Sequence, residues 1–211
     1  MGKLTTDGLI FDVDGTLWNT VAPVAESWNL AFRDAGNPRP PVTAAEIQPL
    51  FGKTMTEIAE ALLPGFPPER QQELLKLCIA YEDKAVAQLT ASVLYPDVAA
   101  TVKKIAARIP LFIVSNCQIG YVELFLEKSG LTPYFRDHEC YGKTKLGKAD
   151  NIKLLARRNG LRNPYYVGDT PMDAAACAAA GVPFVHAAYG FGQVENPAAA
   201  IHRFAELDGV F

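Results

Sequence analysis

The segment from Gly8 to Thr16 places two carboxylates at the end of a short apolar run. An apolar run that ends at a glycine turn is typical of a buried strand, and Asp12 and Asp14 stand at its carboxyl end. Side chains two residues apart on a strand share one face, and paired carboxylates repel each other unless a divalent cation holds them. The spacing therefore predicts a hard-metal site with one carboxylate left for other chemistry.

Two other interpretations fit the same residues. Asp-x-Asp-Gly is a common turn sequence and also begins an EF-hand calcium loop. That loop requires a glutamate at its twelfth position, and the twelfth residue counted from Asp12 is Pro23. The calcium loop is therefore excluded, whereas a plain turn stays open on these residues alone.

Polar residues also end two later apolar runs. Ser115 and Asn116 follow residues 111–114, and a hydroxyl and an amide at a strand end can bind an oxyanion or simply form a turn. Asp169 follows residues 165–167. If a helix starts at Pro171, Asp169 lies near its N-cap and Asp173 in its first turn, where both could serve only to cap the helix.

A lysine completes the candidate set. Lys148 directly precedes a helical pattern, and Lys143 and Lys145 are close competitors. A single lysine is most often a solvated surface residue, so the choice among the three depends on where the strands bring them.

The elements that must position these residues alternate along the chain. Strands are predicted at residues 9–14, 111–114, 165–167 and 183–186, and glycine-terminated helices at 121–129, 149–159 and 172–180. Asn196 and Pro197 indicate the start of a last helix through Leu207. Such alternation predicts a parallel sheet with helices on both faces.

Residues 18–90 interrupt this alternation, because their patterns are helical only. Val21, Val24, Trp28 and Phe32 form one apolar stripe. Capping-box patterns start at Thr43 and Thr54, and Pro67-Pro68 opens a long helix. We therefore predict a helical module inserted after the first strand.

Composition excludes several classes of function. The 211 residues carry a net charge of −3, with no basic cluster to bind nucleic acid and no apolar run long enough to span a membrane. The four cysteines form no Cys-x-x-Cys pair, and the first residues lack an apolar signal core. We expect a cytoplasmic protein with reduced thiols, either a monomer or a weak dimer.

The order of the motifs resembles the haloacid dehalogenase superfamily of phosphohydrolases. It runs Asp12-x-Asp14-Gly-Thr16, then Ser115, Lys148 and finally Gly-Asp169-x3-Asp173. The helical module is similar to the α-helical cap of one subclass, which includes phosphoglycolate phosphatase-like proteins. The resemblance implies an α/β fold: a three-layer Rossmann-like core of residues 1–17 and 91–211, and an inserted α-helical cap domain of residues 18–90.

The resemblance also implies roles for the chemical residues. Asp12 is the expected nucleophile, which forms an aspartyl-phosphate, and Asp14 the expected acid and base. Ser115 and Lys148 are expected to hold the phosphoryl oxygens. The expected cofactor is Mg²⁺, bound by Asp12, Asp169 and the backbone carbonyl of Asp14 and supported by Asp173. The expected substrate-binding residues are Thr16, Asn116, Gly52 and Lys53.

Single residues distinguish among the different activities of this superfamily. Asp14 argues against dehalogenase and phosphonatase chemistry, which lack the second aspartate. Residues 18–37 contain no histidine and the third residue after Gly52 is Met55, which argues against a phosphomutase. The predicted function is hydrolysis of a small phosphorylated metabolite, phosphoglycolate phosphatase-like. A nucleotidase or pyrophosphatase is the alternative within the enzymes, and a regulatory binding protein on the same fold is the alternative outside them.

Overall fold

The central sheet of this computed structural model, which describes residues 3–90 and 93–211, is parallel throughout. Within those residues it has six strands in the order β3-β2-β1-β4-β5-β6. The strands are β1 (Gly8–Phe11), β2 (Leu111–Ser115), β3 (Phe135–Cys140), β4 (Pro164–Gly168), β5 (Phe184–Ala187) and β6 (Ala199–Ile201). Because β1 lies between β2 and β4, the residues that follow these three strands meet at one edge of the sheet.

Helices cover both faces of the sheet. The helices of this part are α5 (Val98–Ala106), α6 (Tyr121–Ser129), α7 (Tyr141–Thr144), α8 (Lys148–Arg158), α9 (Pro171–Ala180) and α10 (Leu207–Val210). Leu9 and Phe11 of β1 join one apolar cluster with α5 and α6, while Ile10 joins a second cluster with α8 and α9. This period-two alternation builds the predicted three-layer α/β sandwich.

Four of the helices described between β1 and β2 form an insertion. They are α1 (Val21–Asp34), α2 (Ala44–Ile47), α3 (Met55–Leu62) and α4 (Pro68–Ala87), with a short 3₁₀ turn at Gln48–Leu50. They share a cluster of buried residues that includes Val24, Trp28, Phe32 and Leu74. The predicted boundary after residue 90 falls beside residues 91 and 92, which lie outside the described residues. We call α1–α4 and their connections the helical insert.

Local capping explains where the helices of the insert begin. Thr54 and Glu57 form the predicted reciprocal capping box at the start of α3. At α2 the Thr43 side chain accepts from the backbone N–H of Glu46, but the Glu46 carboxylate pairs with Arg39 instead. The second predicted capping box is therefore only half formed.

The C-terminal segment corrects one prediction. The helix predicted from Asn196 through Leu207 is wrong, because Ala199–Ile201 forms β6 beside β5 and α10 begins only at Leu207. Asn196 has a left-handed φ of 54° rather than the extended backbone of an N-cap. Pairing with the edge of the sheet decides this segment over its local helix signals.

Two strands also differ from the prediction. The strand predicted at residues 9–14 ends at Phe11, so Asp12 and Asp14 lie in the turn that follows it. The edge strand Phe135–Cys140 was not predicted, because its middle residues are polar and partly exposed. Within the described residues, no helix combines the length and the apolar character that a membrane crossing requires.

Candidate active site

A buried lysine links two aspartates at the edge of the sheet. Lys148 begins α8, and its Nζ lies 3.1 Å from Asp12 Oδ2 and 2.6 Å from Asp173 Oδ1. Burial alone lowers the pKa of Lys148, but the charges of the two carboxylates outweigh it and raise that pKa overall. The ammonium therefore stays protonated and compensates part of the negative charge of the cluster.

The competing lysines lie elsewhere. Lys143 lies 3.5 Å from a Glu139 oxygen with 51% of its side chain exposed, and Lys145 lies over the ring of Tyr141. The structure thus brings Lys148, and neither of the other two, to the predicted aspartates.

Three buried aspartates could hold a cation. Asp12, Asp169 and Asp173 each offer an oxygen, and these oxygens lie within 4.8 Å of one another. Asp12 Oδ1 is buried and has no hydrogen-bond partner in the described part of the chain. A buried carboxylate oxygen without a donor is costly unless a cation or a ligand satisfies it, so the donor set fits a small oxygen-preferring divalent metal.

Glycines leave room for the Asp169 carboxylate. Gly15 has φ +81°, and a Cβ there would lie 2.2 Å from Asp169 Oδ2. A Cβ at Gly190 would lie 2.3 Å from Asp169 Cβ. The carboxylate is then fixed by the Phe191 N–H at 2.8 Å and the Thr16 hydroxyl at 3.2 Å. The backbone therefore forms a close-fitting cradle around one candidate metal ligand.

Asp173 has a capping role and a site role at once. Its Oδ2 accepts from the backbone N–H and the hydroxyl of Thr170, the N-cap of α9. Its Oδ1 accepts from Lys148. Because these contacts already engage both oxygens, Asp173 is suited to orient Lys148 and support the cluster more than to bind a metal directly.

Burial sets the charge state of the other two aspartates. It raises the pKa of Asp169 to about 8, with further contributions from the charges of Asp173 and Asp12. It likewise raises the pKa of Asp12 to about 6, although Lys148 opposes the shift. The cluster also has three carboxylates around one ammonium, and a bound cation would compensate this excess of negative charge.

Asp14 belongs to a separate network. Its Oδ1 accepts from the Thr20 hydroxyl at 2.6 Å and from the Tyr121 hydroxyl at 3.0 Å. Burial raises the pKa of Asp14 to about 7, against the Thr20 hydrogen bond and with help from the charge of Asp12. A carboxyl group of this pKa can give and take a proton near neutral pH.

The remaining predicted residues surround these carboxylates. Ser115 ends β2 and is buried. The Asn116 amide donates to the Gly52 carbonyl at 2.7 Å, which joins the sheet edge to the helical insert. The Thr16 hydroxyl donates to Asp169, and the Thr16 carbonyl accepts from the Tyr189 hydroxyl at 2.7 Å. These two hydrogen bonds hold Asp169 and the turn after β1 in place.

A cavity of about 50 Å³ separates the sheet edge from the helical insert. Asp12, Asp14, Ser115 and Asn116 line one side, and the loop with Gly52 and Lys53 lines the other. The insert otherwise contributes mainly apolar side chains, which are Val24, Trp28, Ile47, Leu50, Phe51, Met55 and Ile58. The structure therefore brings these predicted residues to one small, partly open cavity.

Several residues of the site were not predicted. Thr20 and Tyr121 bind Asp14, and Phe191 binds Asp169, through contacts that only the folded chain creates. Glu82 also lines the cavity. Its signal was available, because it interrupts the buried face of α4 four residues from Cys78 and from Val86.

Comparison with solved structures identifies the fold. A structure from Haemophilus somnus 129pt, named a predicted phosphoglycolate phosphatase, superposes with a TM-score of 0.88 and covers 99% of both chains at 21% identity. A parallel α/β sheet with its polar cluster beyond the strand ends is the arrangement in which such folds bind their ligands.

Comparison of sequences then gives the family. The protein belongs to the haloacid dehalogenase-like hydrolases, whose family model matches residues 9–187. A phosphoglycolate phosphatase of Yersinia pestis is 28% identical over 215 residues, covering 95% of this chain and 90% of that protein. One of Cereibacter sphaeroides is 31% identical over 187 residues, covering 84% and 83%. The predicted superfamily and the prediction of a hydrolase are confirmed.

Proposed function

We propose that the protein is a Mg²⁺-dependent phosphatase that hydrolyses a small phosphomonoester and is phosphoglycolate phosphatase-like, so that phosphoglycolate is the first substrate to test. The observation that carries the proposal is the state of Asp12. One of its oxygens is held by Lys148, while the other is buried without a partner among the described residues. A carboxylate oriented in this way beside candidate metal ligands is suited to attack phosphorus.

The proposed reaction has two steps. In the first, an Asp12 oxygen forms a bond to phosphorus, the ester P–O bond breaks, and Asp14 gives its proton to the leaving alkoxide. In the second, Asp14 takes a proton from water, which attacks the aspartyl-phosphate and releases inorganic phosphate and free Asp12. The pKa of Asp14, about 7, supports both proton transfers.

The proposed reaction requires a divalent cation beside Asp12. Asp12, Asp169 and the backbone carbonyl of Asp14 would hold Mg²⁺, with Asp173 in support. When bound, the ion would supply positive charge that reduces the repulsion between a carboxylate and a phosphate dianion. Lys148 and Ser115 bind the phosphoryl oxygens, and Asn116 and Thr16 assist in positioning them.

We also propose that residues 18–90 act as a cap over the core of residues 1–17 and 91–211. The cap excludes water from the reacting groups, and the bond from Asn116 to Gly52 supports this interpretation. Lys53 lines the cavity and forms no ion pair within 4.0 Å among the described residues, although its charge helps to lower the pKa of the neighbouring Glu57. It is therefore proposed to bind an anionic group of the substrate, in agreement with the relatives named phosphoglycolate phosphatases.

The test is release of phosphate from p-nitrophenyl phosphate and from phosphoglycolate. We expect turnover of both with Mg²⁺ and a loss of activity in excess EDTA that added Mg²⁺ restores. Ca²⁺ is expected to inhibit, because it is larger and accepts looser coordination. Equal turnover with and without EDTA, or no turnover of any phosphomonoester with Mg²⁺, contradicts the proposal.

A further inference from the structure

A buried glutamate lies in the wall of the cavity and has no role in the reaction above. Glu82 of α4 is 5% exposed and lines the same space as Asp14 and Lys53. Its Oε2 accepts from Trp28 Nε1 at 2.8 Å, and its Oε1 accepts from Gln118 Nε2 at 3.0 Å. The carboxylate therefore stands where the helical insert meets the segment that follows β2.

The donors around Glu82 leave part of its bonding capacity unused. A carboxylate offers about four acceptor positions, and the two hydrogen bonds given above occupy two of them. Both donors are neutral, and much of the surrounding wall is apolar. A buried carboxylate in such surroundings is costly unless further donors reach it. A ligand in the cavity is a natural source of such a donor.

Glu82 and Lys53 are also the two charged side chains that the described part of the insert contributes to the cavity. Burial raises the pKa of Glu82 to about 7, so above that pH the two groups have opposite sign, whereas their neighbours in the insert wall are mainly apolar. A leaving group with only a carboxylate satisfies Lys53 but presents no donor to Glu82. A leaving group with a carboxylate and a hydroxyl satisfies both.

We propose that Glu82 is a specificity-determining residue that accepts a hydrogen bond from a hydroxyl of the leaving group, so that the preferred substrate is a phosphorylated hydroxy acid of three or four carbons. This inference rests on the proposed phosphatase function and narrows its substrate class. It ranks glycerate phosphates above phosphoglycolate, whose leaving group carries no second hydroxyl.

The experiment compares substrates that differ at one hydroxyl. The pairs are 3-phosphoglycerate with 3-phosphonooxypropanoate and 2-phosphoglycerate with 2-phosphonooxypropanoate, assayed with Mg²⁺. In the wild-type protein we expect kcat/KM to favour the hydroxylated member of at least one pair by about tenfold, as for a hydrogen bond to a charged group. In Glu82→Gln the ratio should fall to within about twofold.

Gln118→Ala is the matched control for a purely structural link. It removes the bond between the core and Glu82 but keeps the carboxylate. If Glu82 only joins the insert to the core, Glu82→Gln and Gln118→Ala should lower activity on both members of a pair equally. The proposal instead requires that Glu82→Gln change the ratio and that Gln118→Ala preserve it.

A measurement on the wild-type protein covers the case in which Glu82→Gln does not fold. Glycerate should inhibit hydrolysis of p-nitrophenyl phosphate about tenfold more strongly than 3-hydroxypropionate, which lacks the 2-hydroxyl, or than lactate, which lacks the 3-hydroxyl. Equal inhibition, together with ratios near one for both substrate pairs, overturns the role of Glu82. If p-nitrophenyl phosphate is still hydrolysed with Mg²⁺, that result leaves the proposed phosphatase function intact.

Discussion

The two walls of the cavity are built in different ways. On the sheet side, Lys148, Thr16 and Phe191 fix the aspartates through direct contacts, and Asp169 lies so close to Gly15 and Gly190 that a Cβ at either would overlap it. On the insert side, apolar side chains dominate and two charged residues, Lys53 and Glu82, lie among them.

This difference separates two tasks within one space. Preorganised charges and hydrogen bonds serve a reaction because they need no rearrangement when it occurs. An apolar wall with isolated polar groups serves selection, because each group recognises one feature of the ligand. We therefore expect changes on the sheet side to affect every substrate and changes on the insert side to depend on the leaving group.

The largest effect is expected on the sheet side from Asp12→Asn. An amide cannot replace the carboxylate as nucleophile, so turnover of every phosphomonoester should fall by at least about 10⁴-fold. Thermal unfolding should stay cooperative, because the substitution keeps the size of the side chain. Substantial remaining turnover with p-nitrophenyl phosphate would show that another group attacks phosphorus.

Asp14→Asn should give the next largest loss. Removal of a general acid and base costs on the order of 10² to 10⁴ in rate. The loss should be smaller for p-nitrophenyl phosphate, because its leaving group needs little protonation. Tyr121→Phe removes one hydrogen bond to Asp14. It should cause a smaller loss of rate with the same dependence on the leaving group. If both kinds of substrate lose activity equally, Asp14 has a structural role.

Gly190→Ala tests the cradle around Asp169. The added Cβ would lie 2.3 Å from Asp169 Cβ and 2.4 Å from the Gly15 carbonyl oxygen, so it must displace Asp169 or the turn after β1. We expect the Mg²⁺ concentration for half-maximal activity to rise about 10- to 100-fold, as when support of a metal ligand is lost. Gly209→Ala is the control, because a Cβ there meets nothing within 4 Å. An unchanged Mg²⁺ requirement would remove Asp169 from the metal site.

Part of the site could be predicted from local sequence patterns, and part could not. Asp12, Ser115 and Asp169 each follow an apolar run, and parallel strands bring their carboxyl ends to one edge. Their approach to one another therefore follows from local patterns. Tyr121 and Phe191 reach the site through the packing of α6 and the turn after β5, and no local pattern indicates those contacts.

Edge strands account for the errors in the predicted fold. Phe135–Cys140 and Ala199–Ile201 lie at the two edges of the sheet. An edge strand has one neighbour and can carry polar or small residues, so its hydrophobic pattern is weak. For the same reason the Asn196-Pro197 signal predicted a helix, whereas pairing with β5 produced a strand.

Lys53→Ala changes the insert side of the cavity and should give the smallest effect. We expect this effect to depend on the leaving group of the substrate. Lys53 lies in the loop between the 3₁₀ turn and α3, where Gly52 has φ +88° and contacts the core through Asn116. Because an interaction with a remote group contributes mainly to binding, KM for phosphoglycolate should rise about tenfold relative to KM for p-nitrophenyl phosphate, with similar kcat values. The control is Lys76→Ala, a change in an exposed residue of α4. Parallel changes for both substrates would indicate that Lys53 is a solvated loop residue.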